Sequence, residues 1–142
     1  MLMLSVLPGC STPFFKPRIA LNELHLKADS AANGDVPFAV ELVTVSDAEM
    51  LKQLQGLTAA QWFQRKSELK RDFPQDLQSW YFELVPGGSI ELRPTPFSKK
   101  PAQGLLLFAN YAGHGAYRLR LDTYAKATVQ FSESDLRLVI PP

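Results

Sequence analysis

Short segments in which apolar and polar residues alternate, separated by turns rich in proline and glycine, most constrain the fold of this chain. Residues 37–45 are the clearest case, because Phe38, Val40 and Leu42 share one face of an extended segment. The chain also contains 11 prolines, which disfavour long helices. Such a chain buries its apolar residues most readily between β-sheets.

The same pattern predicts seven or eight strands, at residues 18–28, 37–45, 77–85, 89–93, 104–111, 116–123, 126–131 and 135–140. Residues 104–111 are almost continuously apolar and are therefore expected at the centre of a sheet. Gly113-His114-Gly115 would connect this strand tightly to the next. The predicted fold class is mainly β, a two-sheet β-sandwich with a short helical insertion between the second and third strands.

The insertion is expected to contain two helices. Ser46-Asp47 would cap the first helix, and Gly56 would end it. Thr58 and Gln61 have the spacing of a capping box at the start of the second helix, and Pro74 would end that segment. The charged residues of the second helix are expected to face water: Arg65, Lys66, Glu68, Lys70 and Arg71.

The pair Trp62-Phe63 has two interpretations. The two aromatic rings either attach the helices to the sandwich as part of the core or form a surface anchor for a partner protein. We favour the core.

The composition indicates one globular domain, with 46% apolar and 20% charged residues. A net charge of +1 provides no electrostatic argument for binding nucleic acid or an anionic membrane surface. Lys99 and Lys100 are interpreted as a solvated surface. No apolar run approaches the roughly 18 residues of a spanning helix.

Catalytic and metal-binding motifs are missing from the sequence. Its histidines are His25, on the polar face of a predicted strand, and His114, in a predicted turn. The single cysteine, Cys10, excludes a zinc site built from paired cysteines. We therefore predict that the chain is not an enzyme and requires no metal or cofactor.

The N-terminal residues have the pattern of a bacterial lipoprotein signal. An apolar run ends in Leu7-Pro8-Gly9-Cys10, and a cysteine at this position is the residue to which a lipid is attached. Residues 1–9 are interpreted as the signal segment, 10–17 as the lipidated cysteine and tether, and 18–142 as the β-sandwich domain. The alternative is an unlipidated cysteine. Ser11 favours an outer-membrane location on the periplasmic face.

The segment between the first two predicted strands is expected to be an exposed contact loop. It is polar, and Asn33-Gly34 is a strong turn signal because both residues tolerate positive φ. Exposed loops on a rigid sheet scaffold commonly bind partners.

Taken together, the chain resembles the small outer-membrane lipoproteins of type VI secretion systems, the TssJ/SciN/VasD family. The resemblance covers most of the predicted domain and is carried by Cys10, Ala28-Asp29, Asn33-Gly34-to-Pro37, the strand 38–45, Leu51, Leu54 and Phe63, Pro86-Gly87, and the apolar run 104–109.

This resemblance implies a transthyretin-like β-sandwich with a structural role in the type VI membrane complex. The implied partner is the periplasmic domain of the IcmF-like inner-membrane protein TssM, with no nucleic acid involved. The residues implied to contact it are Asp29, Ser30, Ala31, Ala32, Asn33, Gly34 and Asp35. Two alternatives stay open: a pilotin that guides a secretin to the outer membrane, and a periplasmic ligand-binding lipoprotein.

Overall fold

The structure, a computed structural model, describes residues 16–140. The strands are β1 (Glu23–Ala28), β2 (Phe38–Val45), β3 (Leu77–Leu84), β4 (Ser89–Leu92), β5 (Gly104–Ala109), β6 (Arg118–Arg120), β7 (Lys126–Phe131) and β8 (Leu136–Val139). The helices are α1 (Ala32–Asp35), α2 (Ala48–Gln55) and α3 (Ala59–Asp72).

The strands form two four-stranded sheets, sheet I in the order β4-β1-β7-β8 and sheet II in the order β3-β2-β5-β6. Their inner faces enclose the main core, to which β2 contributes Phe38, Val40 and Leu42 and β1 contributes Leu24 and Leu26. The predicted two-sheet β-sandwich, with helices between the second and third strands, is confirmed.

A second core lies on the outer face of sheet II, beneath α2 and α3. Val43 and Val45 of β2 and Phe108 of β5 are fully buried there. Trp62 of α3 is 0% exposed and stacks on Phe108, with ring centroids 5.2 Å apart. The interpretation of Trp62 as a core residue is therefore confirmed.

The ends of the helices follow the local sequence signals. The carboxylate of Asp47 accepts a hydrogen bond from the backbone N–H of Met50 (2.9 Å) and caps α2. Thr58 and Gln61 form the predicted capping box of α3, with hydrogen bonds of 2.9 and 3.2 Å. Each bond satisfies a backbone donor that the helix itself cannot satisfy.

Two predicted strands differ from the structure in their bounds, and one strand pairing was not predicted. The first strand begins at Glu23 and not at residue 18, because residues 17–19 instead contact residues 99–102 outside the sheet. Strand β6 comprises only Arg118–Arg120, since Tyr117 has a positive φ of 45° that interrupts extended backbone. Strands β1 and β7 pair in parallel, which no local pattern indicates.

The third helix departs further from prediction, because two of its lysines do not simply face water. The ammonium groups of Lys66 and Lys70 donate to the carboxylate of Glu41 on β2, at 3.0 and 3.1 Å. Glu41 is 1% exposed and also accepts a hydrogen bond from the indole N–H of Trp62 (3.1 Å).

The ionisation state of Glu41 follows from these contacts. Burial alone raises its pKa, but hydrogen bonds from Lys66, Trp62, Ser79 and Lys70 outweigh burial and lower the pKa below its ordinary value. The carboxylate is therefore charged at neutral pH and joins α3 to sheet II.

Candidate partner-binding site

The segment predicted to bind a partner lies at one end of the sandwich, together with three other connections. This loop end consists of residues 29–37, 85–88, 110–117 and 132–135, which join β1 to β2, β3 to β4, β5 to β6 and β7 to β8. The strand directions place all four together, since β1, β3, β5 and β7 finish at this end.

The segment 29–35 is only partly exposed, which corrects the expectation of a fully exposed loop. Ala32 is 0% and Asn33 is 7% exposed. The side-chain amide of Asn33 donates to the carbonyl of Val36 (3.2 Å), and its oxygen accepts from the backbone N–H of Ala112 (2.8 Å). Asn33 therefore holds the β1–β2 and β5–β6 connections together.

Asn33 to Asp35, within α1, form a left-handed turn, which explains why Asn33-Gly34 occurs here. Asn33, Gly34 and Asp35 have φ values of 51°, 64° and 64°, a region that asparagine and glycine adopt with little strain. The backbone N–H groups of Asn33 and Gly34 donate to the carbonyls of Ser132 and Glu133, at 3.2 and 3.1 Å. The turn is thus also attached to the β7–β8 connection.

Four of the predicted contact residues remain on the surface of this turn: Ser30, Ala31, Gly34 and Asp35. Asp29 is also exposed, and its carboxylate accepts a hydrogen bond from the side chain of Gln130. The structure therefore divides the predicted site into an exposed set that a partner can reach and a buried pair, Ala32 and Asn33.

A shallow pocket of about 270 Å³ lies beside the turn. Its lining includes Asn33, Tyr111 and Tyr117, and the two tyrosine rings are 4.9 Å apart. The hydroxyl of Tyr117 occupies the space where a Cβ at Gly113 would lie, so this side chain would have to move if residue 113 were not glycine. Burial raises the pKa of Tyr111, whose hydroxyl donates to the carbonyl of Ser132 (2.6 Å).

Residues that sequence reasoning did not assign to the site complete the surface of the loop end. Val36 and Val85 are 53% and 56% exposed. Val36 precedes Phe38 by two residues and Val85 follows Leu84, and Phe38 pairs with Leu84. The connections at this end contain no lysine or arginine, and their carboxylates are Asp29, Asp35, Glu133 and Asp135. This surface is acidic and also exposes two valines, and only the strand pairing brings its parts together.

Of the two histidines considered from the sequence, His114 lies at the loop end and His25 lies away from it. His25 lies on the outer face of sheet I opposite Glu91, and His114 is exposed in the β5–β6 connection. Cys10 lies outside the described residues. Within residues 16–140, no three His, Cys, Asp or Glu side chains are grouped so that they could hold a metal ion. In the same range, no helix combines the length and apolar character that crossing a bilayer requires.

Comparison with solved structures identifies similar folds. The chain is similar to the type VI secretion lipoprotein TssJ1 from Pseudomonas aeruginosa, with a TM-score of 0.66 and 17% identity over 84% of this chain and 95% of that chain. It is similar to Serratia marcescens Lip, a membrane-bound component of the type VI secretion system, with a TM-score of 0.61 and 20% identity over 85% and 96% of the two chains.

A third similar chain comes from a structure of the type VI protein TssM C-terminal domain from EAEC, with a TM-score of 0.62 and 15% identity over 84% and 98% of the two chains. No protein-family model and no curated protein sequence matches the chain. Residues 16–140 therefore have the fold of the type VI secretion lipoproteins TssJ1 and Lip, which confirms at the level of the fold the resemblance to the TssJ family.

Proposed function

We propose that this protein belongs to the TssJ family and is a non-catalytic structural component of the type VI secretion membrane complex. In this proposal, lipid attached to Cys10 holds the domain at the periplasmic face of the outer membrane. The loop end then binds the periplasmic domain of the IcmF-like inner-membrane protein, TssM. The fold shared with TssJ1 and Lip over most of each chain is the observation that carries this proposal.

The positions of the two ends of the sandwich support this role. Residue 16 precedes β1, whereas the loop end follows it, so the tether and the contact surface lie at opposite ends of the strands. Strand β2 has eight residues and spans the distance between the ends, about 25 Å at the usual rise of a strand. A domain attached to one membrane through its N-terminus thus directs its loop end away from that membrane.

The surface of the loop end also suggests what kind of partner surface binds there. Its exposed carboxylates favour a basic partner surface, and the exposed side chains of Val36 and Val85 provide apolar contact area. In contrast, Asn33 has its hydrogen bonds within the domain, and its proposed role is to position the exposed residues of the turn.

The test of partner binding is capture of the TssM periplasmic domain by the immobilised protein. The variant Val36→Lys/Glu133→Lys changes two exposed residues of the loop end and is expected to reduce the affinity at least about tenfold. The control Val139→Lys/Glu91→Lys makes the same changes at exposed positions of sheet I and should retain the affinity. Equal loss in both variants would contradict the proposed surface.

Membrane attachment is tested separately with Cys10→Ser. The substitution removes the thiol to which lipid would be attached, so the protein is expected to move from the membrane to the soluble fraction while its thermal unfolding is unchanged. A variant that stays in the membrane fraction would contradict the anchor. Recovery of a secretin in place of TssM from an envelope extract would instead support the pilotin alternative.

A further inference from the structure

The N-terminal end of the sandwich, opposite the loop end, carries a basic surface. The residues before β3, which include Asp72 and Asp76, also lie at this end, but the basic surface consists of the residues before β1, β5 and β7, numbered 16–22, 93–103 and 121–125. These segments contain five lysines and arginines but a single carboxylate, Asp122: the cations are Lys16, Arg18, Arg93, Lys99 and Lys100. We propose that four of them, Lys16, Arg18, Lys99 and Lys100, form a basic patch that binds the anionic phospholipid headgroups of a membrane.

Backbone contacts between two distant segments assemble the basic patch. The N–H of Ile19 donates to the carbonyl of Lys100, and the N–H of Lys99 donates to the carbonyl of Ile19, each at 2.9 Å. The guanidinium of Arg18 donates to the carbonyl of Lys99, also at 2.9 Å. Since Ile19 is 1% exposed, this contact is fixed by the core while Arg18 and Lys99 stay at the surface.

Carboxylates do not neutralise the basic patch within residues 16–140. None of its four cations forms an ion pair there. Glu23 is shared by two other cations, Arg93 at 3.3 Å and Lys126 at 3.5 Å. Asp122 pairs with Arg120 at 2.8 Å. Glu23 and Asp122 are thus engaged elsewhere. Asp76, which lines a cavity with Pro101 and Ala102, accepts a hydrogen bond from the hydroxyl of Ser46 and forms no ion pair with the patch.

The backbone at Lys99 provides a second indication. Its φ of 63° is in the left-handed region, which a residue with a Cβ adopts less readily than glycine. A lysine at this position keeps a cation at the tip of the turn despite that strain.

A membrane is the partner that fits the position of the patch. Lys16 is the first described residue, so the 15 residues before it, which include Cys10, join the domain beside the patch. An attachment at Cys10, six residues before Lys16, would hold these cations within about 20 Å of the headgroups. Each basic residue near an anionic lipid surface increases partitioning about fivefold, and a single acyl chain binds only marginally without such a contribution. The net charge of +1 does not indicate this basic surface, because the carboxylates of the loop end offset its positive charge.

The experiment uses the full chain with Cys10→Ser, so that no lipid contributes, and measures flotation with phosphatidylcholine vesicles that either contain or lack phosphatidylglycerol. The patch variant replaces Lys16, Arg18, Lys99 and Lys100 with glutamine. The matched control replaces four exposed cations elsewhere with glutamine: Lys27, Lys52, Arg65 and Arg137. Because residues 1–15 are identical in all three proteins, their own affinity for lipid cancels in the comparison.

The protein with the unsubstituted patch is expected to bind anionic vesicles more strongly than neutral ones, and added salt should abolish this preference. The patch variant should partition onto the anionic vesicles at least about tenfold less. The partitioning of the control variant should stay within about twofold of that of the unsubstituted patch. No preference for anionic vesicles, or equal losses in patch and control variants, would overturn the proposal. Lys16→Gln/Lys100→Gln leaves the hydrogen bond of Arg18 and the turn at Lys99 intact, and should show an intermediate loss if the full variant unfolds. The lipid-anchor proposal can fail without affecting this result.

Discussion

The outer faces of the two sheets differ sharply, although their inner faces are alike. The outer face of sheet II is covered by α2 and α3 and buries Val43, Val45, Leu106 and Phe108. The outer face of sheet I carries polar residues in solvent, including Glu23, His25 and Lys27 of β1. The comparison shows that the helical insertion acts as a third layer, which the apolar residues on the second face of β2 and β5 require.

Charged side chains are also stabilised differently on the two outer faces. On the covered face, Glu41 has lost contact with water and retains its charge only because Lys66, Lys70 and Trp62 donate hydrogen bonds to it. On the open face, water reaches Glu23 and Lys27 directly, and the ion pairs of Glu23 with Arg93 and Lys126 are themselves partly exposed. Substitutions on the covered face should therefore be far more costly.

The largest effect is expected for Trp62→Ala, which removes a fully buried indole from the covered face. The cavity and the lost hydrogen bond to Glu41 should lower the free energy of unfolding by about 3–5 kcal/mol, measured by urea denaturation. The neighbouring Phe63→Ala is the control, since Phe63 is only partly buried and should cost roughly 1 kcal/mol.

Similar losses for these two variants would mean that the helices are not held to sheet II through Trp62. If Trp62→Ala does not fold, Trp62→Phe keeps an aromatic ring on Phe108 and removes the indole N–H. It should then cost about 1–3 kcal/mol because Glu41 loses one donor.

An intermediate effect is expected for Lys66→Met/Lys70→Met, which removes both cations beside Glu41 but keeps their apolar stems. The free energy of unfolding should fall by about 2 kcal/mol at pH 7. This is less than expected for a fully buried ion pair, because water still reaches the lysine side of the site. Lys70 itself is 38% exposed. The control is Arg65→Met/Arg71→Met on the exposed side of α3, where little change is expected.

The pH dependence sharpens this test. In the unsubstituted protein the pKa of Glu41 is lower in the folded state than its ordinary value of 4.5. Its stabilising contribution is thus complete above that value and is lost as the pH falls through the folded-state pKa. In the variant without the two lysines, burial raises the pKa of Glu41. The difference in the free energy of unfolding between the unsubstituted protein and this variant should therefore be smaller at pH 4 than at pH 7. A gap that stays constant with pH would show that Glu41 is not its source.

The smallest effect is expected for His25→Val on the open face of sheet I. The imidazole is partly exposed and lies opposite Glu91, so the free energy of unfolding should change by no more than about 0.5 kcal/mol. A loss as large as that of the lysine variant would abolish the contrast between the two faces and indicate an unrecognised role for this histidine.

Much of the fold could be predicted because the relevant signals are local. The capping box joins Thr58 to Gln61 three residues away, and the alternation within residues 38–45 shows which side chains share a face. The candidate site could be predicted less well. Asn33 was expected to be exposed because its turn signal is local, whereas its hydrogen bond to Ala112 links residues 79 positions apart.

The sequence by itself determined the order and approximate positions of the strands, the caps of the helices and the apolar run of β5, because each depends on residues within a few positions of one another. Only the tertiary structure decided the parallel pairing of β1 with β7, the burial of Asn33 and the contact of Lys66 and Lys70 with Glu41. It also separated the acidic loop end from the basic patch. These features require residues that are distant in the chain to meet, and composition and periodicity contain no information on which strands become neighbours.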